Sequence, residues 1–293
     1  MIVVAGGTGT LGRRLVPLLT AAGLPVRVLT RDPAQTGSLA GPGVEVTRAD
    51  VRDAAAVGRA LHRAVTVVSA VHGFAGPGGV SPASVDRAGN ANLIAAAARE
   101  GAGFVLVSVV GAGPDHPIGL FRAKHDAEKT LRASGVPWTI VRATAFAETW
   151  ATIMAGPLRA SGTIPVFGRG RNPINFVSAT DVAALTARAA TDPGLRGQVL
   201  ELGGQDLTFD GLAGLVQEAA GHSGTVRHIP RAALRAMSWL AAPVRPALAR
   251  QARAALAMDT LDMTFGPGPA RQAVTDLPET SARQALKELL NST

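Results

Sequence analysis

Six short apolar runs rich in β-branched residues, "IVVA", "PVRVLT", "VEVT", "VTVVSA", "FVLVSVV" and "WTIVRA", recur over the first 143 residues. Between them lie stretches with helical spacing of apolar positions, such as "LGRRLVPLLTAAG" and "ANLIAAAAREG". Continuous apolar runs of this length suit strands buried on both faces, and their alternation with helices is the rhythm of a parallel sheet with crossover helices. The pattern therefore predicts an α/β fold built on a doubly wound parallel sheet. In such sheets ligands bind where loops leave the carboxyl ends of the strands. The glycine-proline-rich loop "HGFAGPGGVSP", after the fourth run, is then a candidate wall of a site.

The first run leads directly into a glycine cluster. Gly6, Gly9 and Gly12 give G-x-x-G-x-x-G between a strand and a helix, where missing side chains let the backbone turn tightly and a pyrophosphate approach the helix N-terminus. A glycine triplet alone is a weak signal. Its strand-turn-helix setting and the βαβ alternation that follows make a dinucleotide seat the expected role, with Gly6, Thr8, Gly9, Thr10, Leu11 and Gly12 around the phosphates. At the end of the second run the chain reads "VRVLTRDP", so Arg31 stands where an NAD-binding unit usually carries a carboxylate for the ribose hydroxyl. A guanidinium suits a 2′-phosphate, which favours NADP(H) over NAD(H). Arg13 is a second candidate cation there, and Arg14 is its equal by composition. Asp50 and Val51, after the third run, are expected near the adenine, although Asp50 also reads as a helix cap. Ser69, Ala70 and Val71 should line the path to the nicotinamide ribose.

Composition removes other chemistries. The 293-residue chain has no cysteine, which excludes disulfides, thiolate catalysis and cysteine-metal sites. No leader is expected ahead of Ile2, and no apolar run reaches the roughly 20 residues of a membrane-spanning helix, so the expected location is cytoplasmic. The net charge of +8 is concentrated. Arg227, Arg231, Arg235, Arg245, Arg250 and Arg253 lie between Ala219 and Met258 with no acidic residue among them. Such a stretch reads first as solvated arginine heads whose stems cover apolar surface, and nucleic acid is not favoured as a partner. Within it, "LRAMSWLAAPV" is a candidate lid over the substrate cleft or a docking surface.

The segments "VVAGGTGTLGRRL", "LTRDP", "ADVRD", "GNANLIAAAAREG", "FVLVSVVGA", "KHDAEKTLRASGVPWTIVRATAF" and "INFVSATDVAAL" together resemble the NmrA-like, atypical branch of the short-chain dehydrogenase/reductase superfamily, over roughly residues 1 to 205. The resemblance implies a Rossmann domain over 1–150, to which the chain returns at about 174–202. It also implies a smaller, mainly helical substrate-binding region over 151–173 and 203–293. Members of that family include reductases of quinones, triphenylmethane dyes and aromatic natural products, as well as non-catalytic redox sensors and assembly subunits.

The family's usual catalytic set is Ser, Tyr and Lys. Ser108 and Lys124 match the serine and the lysine, whereas the tyrosine position is Leu120, in a chain without any tyrosine. Only three lysines occur in the chain, which singles out Lys124, expected to bond the nicotinamide ribose. Ser108 reads equally well as a strand-end serine bonded to backbone. Without a phenol, an ordinary ketone lacks its proton donor, so the expected acceptors are activated ones, quinone-like, dye-like or aromatic. His72 and Thr144 are substitute donors; His116 and His125 read as solvent-facing or capping residues. Phe74, Phe121, Phe146 and Trp150 are candidate walls for a small apolar or aromatic substrate, each also readable as core. A homo-oligomer stays open, as does a sensor or accessory subunit that binds NADP(H) without turnover.

Overall fold

A computed structural model describes residues 1–74, 76 and 79–291. Its strands are β1 (Ile2–Ala5), β2 (Val26–Thr30), β3 (Val44–Arg48), β4 (Thr66–Ser69), β5 (Gly103–Val109), β6 (Trp138–Ala143), β7 (Ala145–Phe146), β8 (Thr163–Phe167), β9 (Ile174–Val177), β10 (Val199–Leu202), β11 (Gln205–Leu207) and β12 (Thr225–Ile229). Its helices are α1 (Gly12–Ala21), α2 (Ala54–Ala60), α3 (Ala88–Glu100), α4 (Gly119–Arg132), α5 (Ala147–Ser161), α6 (Ala179–Thr191), α7 (Phe209–Ala220), α8 (Arg231–Leu240), α9 (Pro246–Met258), α10 (Ala270–Ala273) and α11 (Ala282–Asn291).

Seven strands form one sheet in the order β10-β6-β5-β4-β1-β2-β3, and every pairing in it is parallel. The six strands expected from the apolar runs are all present, and β10 adds a seventh at the edge. Successive side chains of β1 go to opposite faces. Ile2 and Val4 pack with Leu15, Val16 and Leu19 of α1 and with Val182 and Leu185 of α6. Val3 and Ala5 pack with Val57 of α2, Leu93 and Ile94 of α3, and Leu131 of α4. Helices on both faces explain why the strands read as unbroken apolar runs rather than alternating ones.

The sheet grows from β1 through β2 to β3 in one direction and through β4, β5 and β6 in the other. The loops that leave β1 and β4 therefore diverge, and a crevice opens between them at the carboxyl edge. Above it sits the rest of the chain, mainly helical, with a three-stranded sheet β11-β9-β7 and a two-stranded sheet β12-β8. A separate apolar cluster holds this part together, including Trp150 and Met154 of α5, Phe209 and Leu212 of α7, Met258 of α9 and Leu286 of α11.

Candidate functional site

The turn after β1 is shaped by two glycines that nothing else can replace. Gly6 has φ +85°, and a Cβ there would lie 2.6 Å from the carbonyl oxygen of Ala70. A Cβ on Gly12 would fall 2.4 Å from both Gly6 O and Gly7 Cα. Gly7, outside the triplet, is also pressed, with Val28 Cγ1 2.8 Å from its Cβ position. Gly9 differs: a Cβ there meets only Gly6 O, at 3.3 Å, and otherwise points into the open crevice. Packing explains Gly6 and Gly12, whereas the bareness of Gly9 leaves room for something that approaches from outside.

The polarity of the turn agrees. Arg13 Nε donates to Thr8 O at 3.0 Å and Arg14 Nη1 to Thr10 O at 2.9 Å, so two carbonyls are drawn away from the crevice. Gly9 N donates back to Gly6 O, while the amides of Thr10, Leu11 and Gly12 find no acceptor among the described residues. Helix α1 starts without a side-chain cap and without an acidic residue in its first turn. A row of free amides at a helix N-terminus, beside a glycine whose outer side is open, fits a pyrophosphate in chemistry and in space.

The two adjacent arginines part company. Arg13 spans from the glycine turn to Gln35 O (2.6 Å), closing the side of the crevice next to β2. Arg14 turns inward to Thr180 Oγ1 (3.2 Å) and to the buried Glu148 (3.4 Å). Arg31 is exposed at the end of β2 and has no hydrogen-bond acceptor among the described residues. Asp50 does not cap α2, because Asp53 does so by accepting from Ala55 N and Ala56 N. Asp50 instead binds Arg52, whose guanidinium holds its carboxyl below the usual range, with Arg31 adding a smaller effect. Val51 packs beside α3 and its carbonyl accepts from Asn92 Nδ2 at 2.9 Å.

Farther along the crevice, Ala70 and Val71 border it, while the Ser69 hydroxyl is fully buried and donates to Asn90 Oδ1 at 2.5 Å. Lys124 is 4% exposed. Its Nζ lies 2.8 Å from Val71 O, 2.9 Å from Val107 O and 3.1 Å from Asp86 Oδ1. The two carbonyls accept hydrogen bonds from the ammonium, whereas Asp86 Oδ1 is its charge partner only and has no hydrogen-bond partner among the described residues. Asp86, wholly buried, also accepts from Gly73 N at 2.7 Å and so fixes the start of the loop after β4. In that loop Ala75, Pro77 and Gly78 lie outside the described residues. Ser108 is nearly buried, and its hydroxyl donates to Glu128 Oε1 at 2.6 Å. Its proton is thus committed to α4 rather than offered to the crevice.

Beside Lys124 opens a largely apolar cavity of about 300 Å³. It is continuous with the glycine turn, since Gly9, Thr10 and Leu11 share its wall with Leu120, Phe121, Phe146 and Trp150. Phe74 lines it too, so the four aromatic candidates are brought together, although Trp150 is only 8% exposed and packs mainly against Phe167 and Phe209. Phe121 stacks on His116 at 4.1 Å between ring centroids, and His116 Nδ1 accepts from Ile118 N ahead of α4. From above, Ala254 and Met258 of α9 close the cavity, whereas Trp239, Leu240 and Val244 stay outside it. The lid expected from the "LRAMSWLAAPV" segment is therefore supplied by the following helix.

His72 faces the cavity and is open to it, yet sits deep among protein atoms. Burial holds its imidazole below its ordinary pKa; Asp86 opposes that shift and the Lys124 ammonium reinforces it. The Thr144 hydroxyl is spent on Asn175 Oδ1 at 2.8 Å. Among the described residues no group of three or more His, Asp or Glu could hold a metal ion.

Several residues that build this site had not been singled out from the sequence. Asp86 and Asn90 stand one turn apart on the core-facing side of the helical segment that continues to Leu93 and Ala97. Glu128, one turn beyond Lys124, likewise interrupts the inward stripe of α4. A polar residue on an apolar stripe was the available signal. Asn175, which joins Thr144, Gly204 and Asp206, carried none in its local spacing.

A family model described as NAD(P)H-binding matches residues 6–193. An NAD(P)H azoreductase of Xenophilus azovorans is 33% identical over 224 residues, covering 75% of this chain and 74% of that protein. Quinone oxidoreductase 2 of Escherichia coli (strain K12) is 27% identical over 238 residues, 79% of each. Among solved structures, the Escherichia coli NADPH-dependent quinone oxidoreductase complexed with NADPH aligns with a TM-score of 0.76 at 23% identity, over 99% of this chain and 100% of the other. The Citrobacter sp. triphenylmethane reductase complexed with NADP(H) aligns at 0.75 with 20% identity, over the same shares.

Proposed function

The chain belongs to the NAD(P)H-binding family, and on that footing we propose that it is an NADP(H)-dependent reductase of the NmrA-like branch of the short-chain dehydrogenase/reductase superfamily, whose acceptors are activated and apolar, quinone-like or dye-like. The observation that carries this reading is the continuity of one cavity from the bare amides of the glycine turn to the aromatic wall around Lys124. A dinucleotide lying along the crevice would set its phosphates on Gly9, Thr10, Leu11 and Gly12, with Arg31 facing a 2′-phosphate and Asp50 and Val51 near the adenine. When bound, the nicotinamide supplies a hydride.

The chain's own groups narrow the acceptor. Ser108 and Thr144 have given their protons to Glu128 and Asn175, and Leu120 stands one turn before Lys124. His72, its pKa depressed by burial, seldom carries at neutral pH the extra proton it would have to give. A ketone, which develops an alkoxide, finds no ready proton here. A quinone spreads the incoming negative charge over its own π system and takes its proton from solvent, and a cationic dye is neutralised by the hydride and needs no proton. Lys124 contributes positive potential at the cavity floor and holds the ends of β4 and β5 in place. The activities of the azoreductase and quinone oxidoreductase relatives support the same acceptor class.

The test is loss of NADPH absorbance across a panel of quinones, azo compounds and triphenylmethane dyes, with simple ketones as controls. Turnover of the first three and not of ketones is expected. Tight dinucleotide binding with no acceptor reduced would overturn the enzymatic reading in favour of a sensor. Arg31→Glu should weaken NADPH by about 10- to 100-fold, the loss of a charge-assisted contact, and NADH far less. Equal loss of both would remove the preference for NADP(H).

A further inference from the structure

Three large apolar side chains protrude from the end of α8 and the turn that leads to α9. Trp239 is 79% exposed, Leu240 77% and Val244 80%. The inner face of α8 is satisfied, because Leu234 is buried against Ala252 and Ala255 of α9. On the outer face Arg235 and Trp239 lie one turn apart, and so do Ala236 and Leu240, all exposed. This helix therefore has one side that packs and one that presents arginine and tryptophan to the outside.

The arginines of the region divide in the same way. Arg231 pairs with Asp259, Arg250 donates to Val80 O at 2.8 Å, and Arg253 donates to Ser238 O at 3.0 Å. Arg235 and Arg245, which flank the apolar tip, have no acceptor among the described residues. No acidic residue occurs between Ala219 and Met258 to offset them. The result is an apolar point inside a cationic collar.

We propose that this α8–α9 tip docks the protein on an anionic lipid bilayer. Tryptophan prefers the headgroup boundary, leucine and valine the acyl edge beneath it, and arginine the anionic headgroups around them. A second copy of the chain fits less well. A two-fold contact would set Arg235 and Arg245 against their own equivalents, and the three side chains expose on the order of 400 Å² together, against about 800 Å² per partner in a stable interface. No helix among the described residues is long and apolar enough to cross a membrane, so the attachment is peripheral. From this tip, α9 runs its 13 residues, about 20 Å, to Ala254 and Met258 in the cavity wall. Docking would hold the apolar cavity close to the bilayer surface.

Vesicles of phosphatidylcholine, with and without phosphatidylserine, sedimented with the full chain at low and high salt, test this. The chain should pellet only with the phosphatidylserine vesicles, and less so at high salt. Arg235→Gln with Arg245→Gln should weaken binding by about 25-fold, at roughly fivefold per arginine. Trp239→Ser with Val244→Ser should weaken it at least as much, with an unchanged thermal midpoint as the control for folding. The proposal is overturned if the unaltered chain stays in the supernatant at low salt, or if the Trp239 and Val244 variant pellets as well as the unaltered chain. It is equally overturned if the tip variants abolish self-association in velocity sedimentation while vesicles capture nothing.

Discussion

Gly9 and Gly12 belong to one motif and differ in what they answer to. At Gly12 an added methyl strikes backbone at 2.4 Å, which side-chain rotation cannot relieve, so Gly12→Ala should cost at least about 1–3 kcal/mol in urea unfolding. At Gly9 the tightest contact is 3.3 Å and φ lies outside the left-handed region. Gly9→Ala should therefore leave stability within about 1 kcal/mol while lowering dinucleotide affinity in a fluorescence titration. His72 carries a second residue-scale effect, with a definite sign. Its folded-state pKa is depressed, so as pH falls through the ordinary imidazole range the unfolded chain takes up a proton that the folded chain declines. Stability should decline in that window and His72 should contribute nothing to the slope above it. His72→Gln should flatten the slope of unfolding free energy between about pH 7 and pH 5, and an imidazole NMR titration should place the His72 midpoint below that of an unperturbed histidine.

At the scale of elements, a polar row crosses the sheet under α4. Ser108, Arg142 and Glu201 are in register on β5, β6 and β10, and Glu128 reaches down from the helix to Arg142 at 2.7 Å. The Glu128 contact raises the pKa of the Arg142 guanidinium further above its ordinary value, with Glu201 adding to it. Because Glu128 sits one turn beyond Lys124, this clasp also sets the height of the ammonium over the crevice. Glu128→Gln should cost about 3 kcal/mol in denaturant unfolding, since it leaves a half-buried guanidinium short of a counter-charge. The strands of this sheet were legible in the sequence because burial on both faces writes itself as unbroken apolar runs, and the glycine turn because backbone crowding permits no other residue. The clasp was not legible: it joins positions 108, 128, 142 and 201, whose proximity exists only once β10 has been laid beside β6. For the same reason Arg13 and Arg14 were indistinguishable by composition and became distinct only when α5 and α6 supplied Glu148 and Thr180 to one of them.

For the molecule as a whole, one cavity is shared by parts of the chain far apart in sequence: the Rossmann sheet gives its floor and α9 its roof. Ala254→Phe, which adds a ring from the roof, should raise KM for quinones or dyes severalfold and leave NADPH affinity unchanged, as read by steady-state kinetics beside a binding titration. The small C-terminal sheets and α9 thus act on the acceptor, while β1, β2 and β4 act on the dinucleotide. Lys124 sits where these territories meet, with two protons of its ammonium given to the carbonyls of Val71 and Val107 and its charge balanced by Asp86. A guest hydroxyl can be greeted there by the third proton, with neither main-chain oxygen let go. Arrival at that end of the crevice is then an addition rather than a trade, and the two main-chain bonds keep the ammonium aimed while a guest comes and goes.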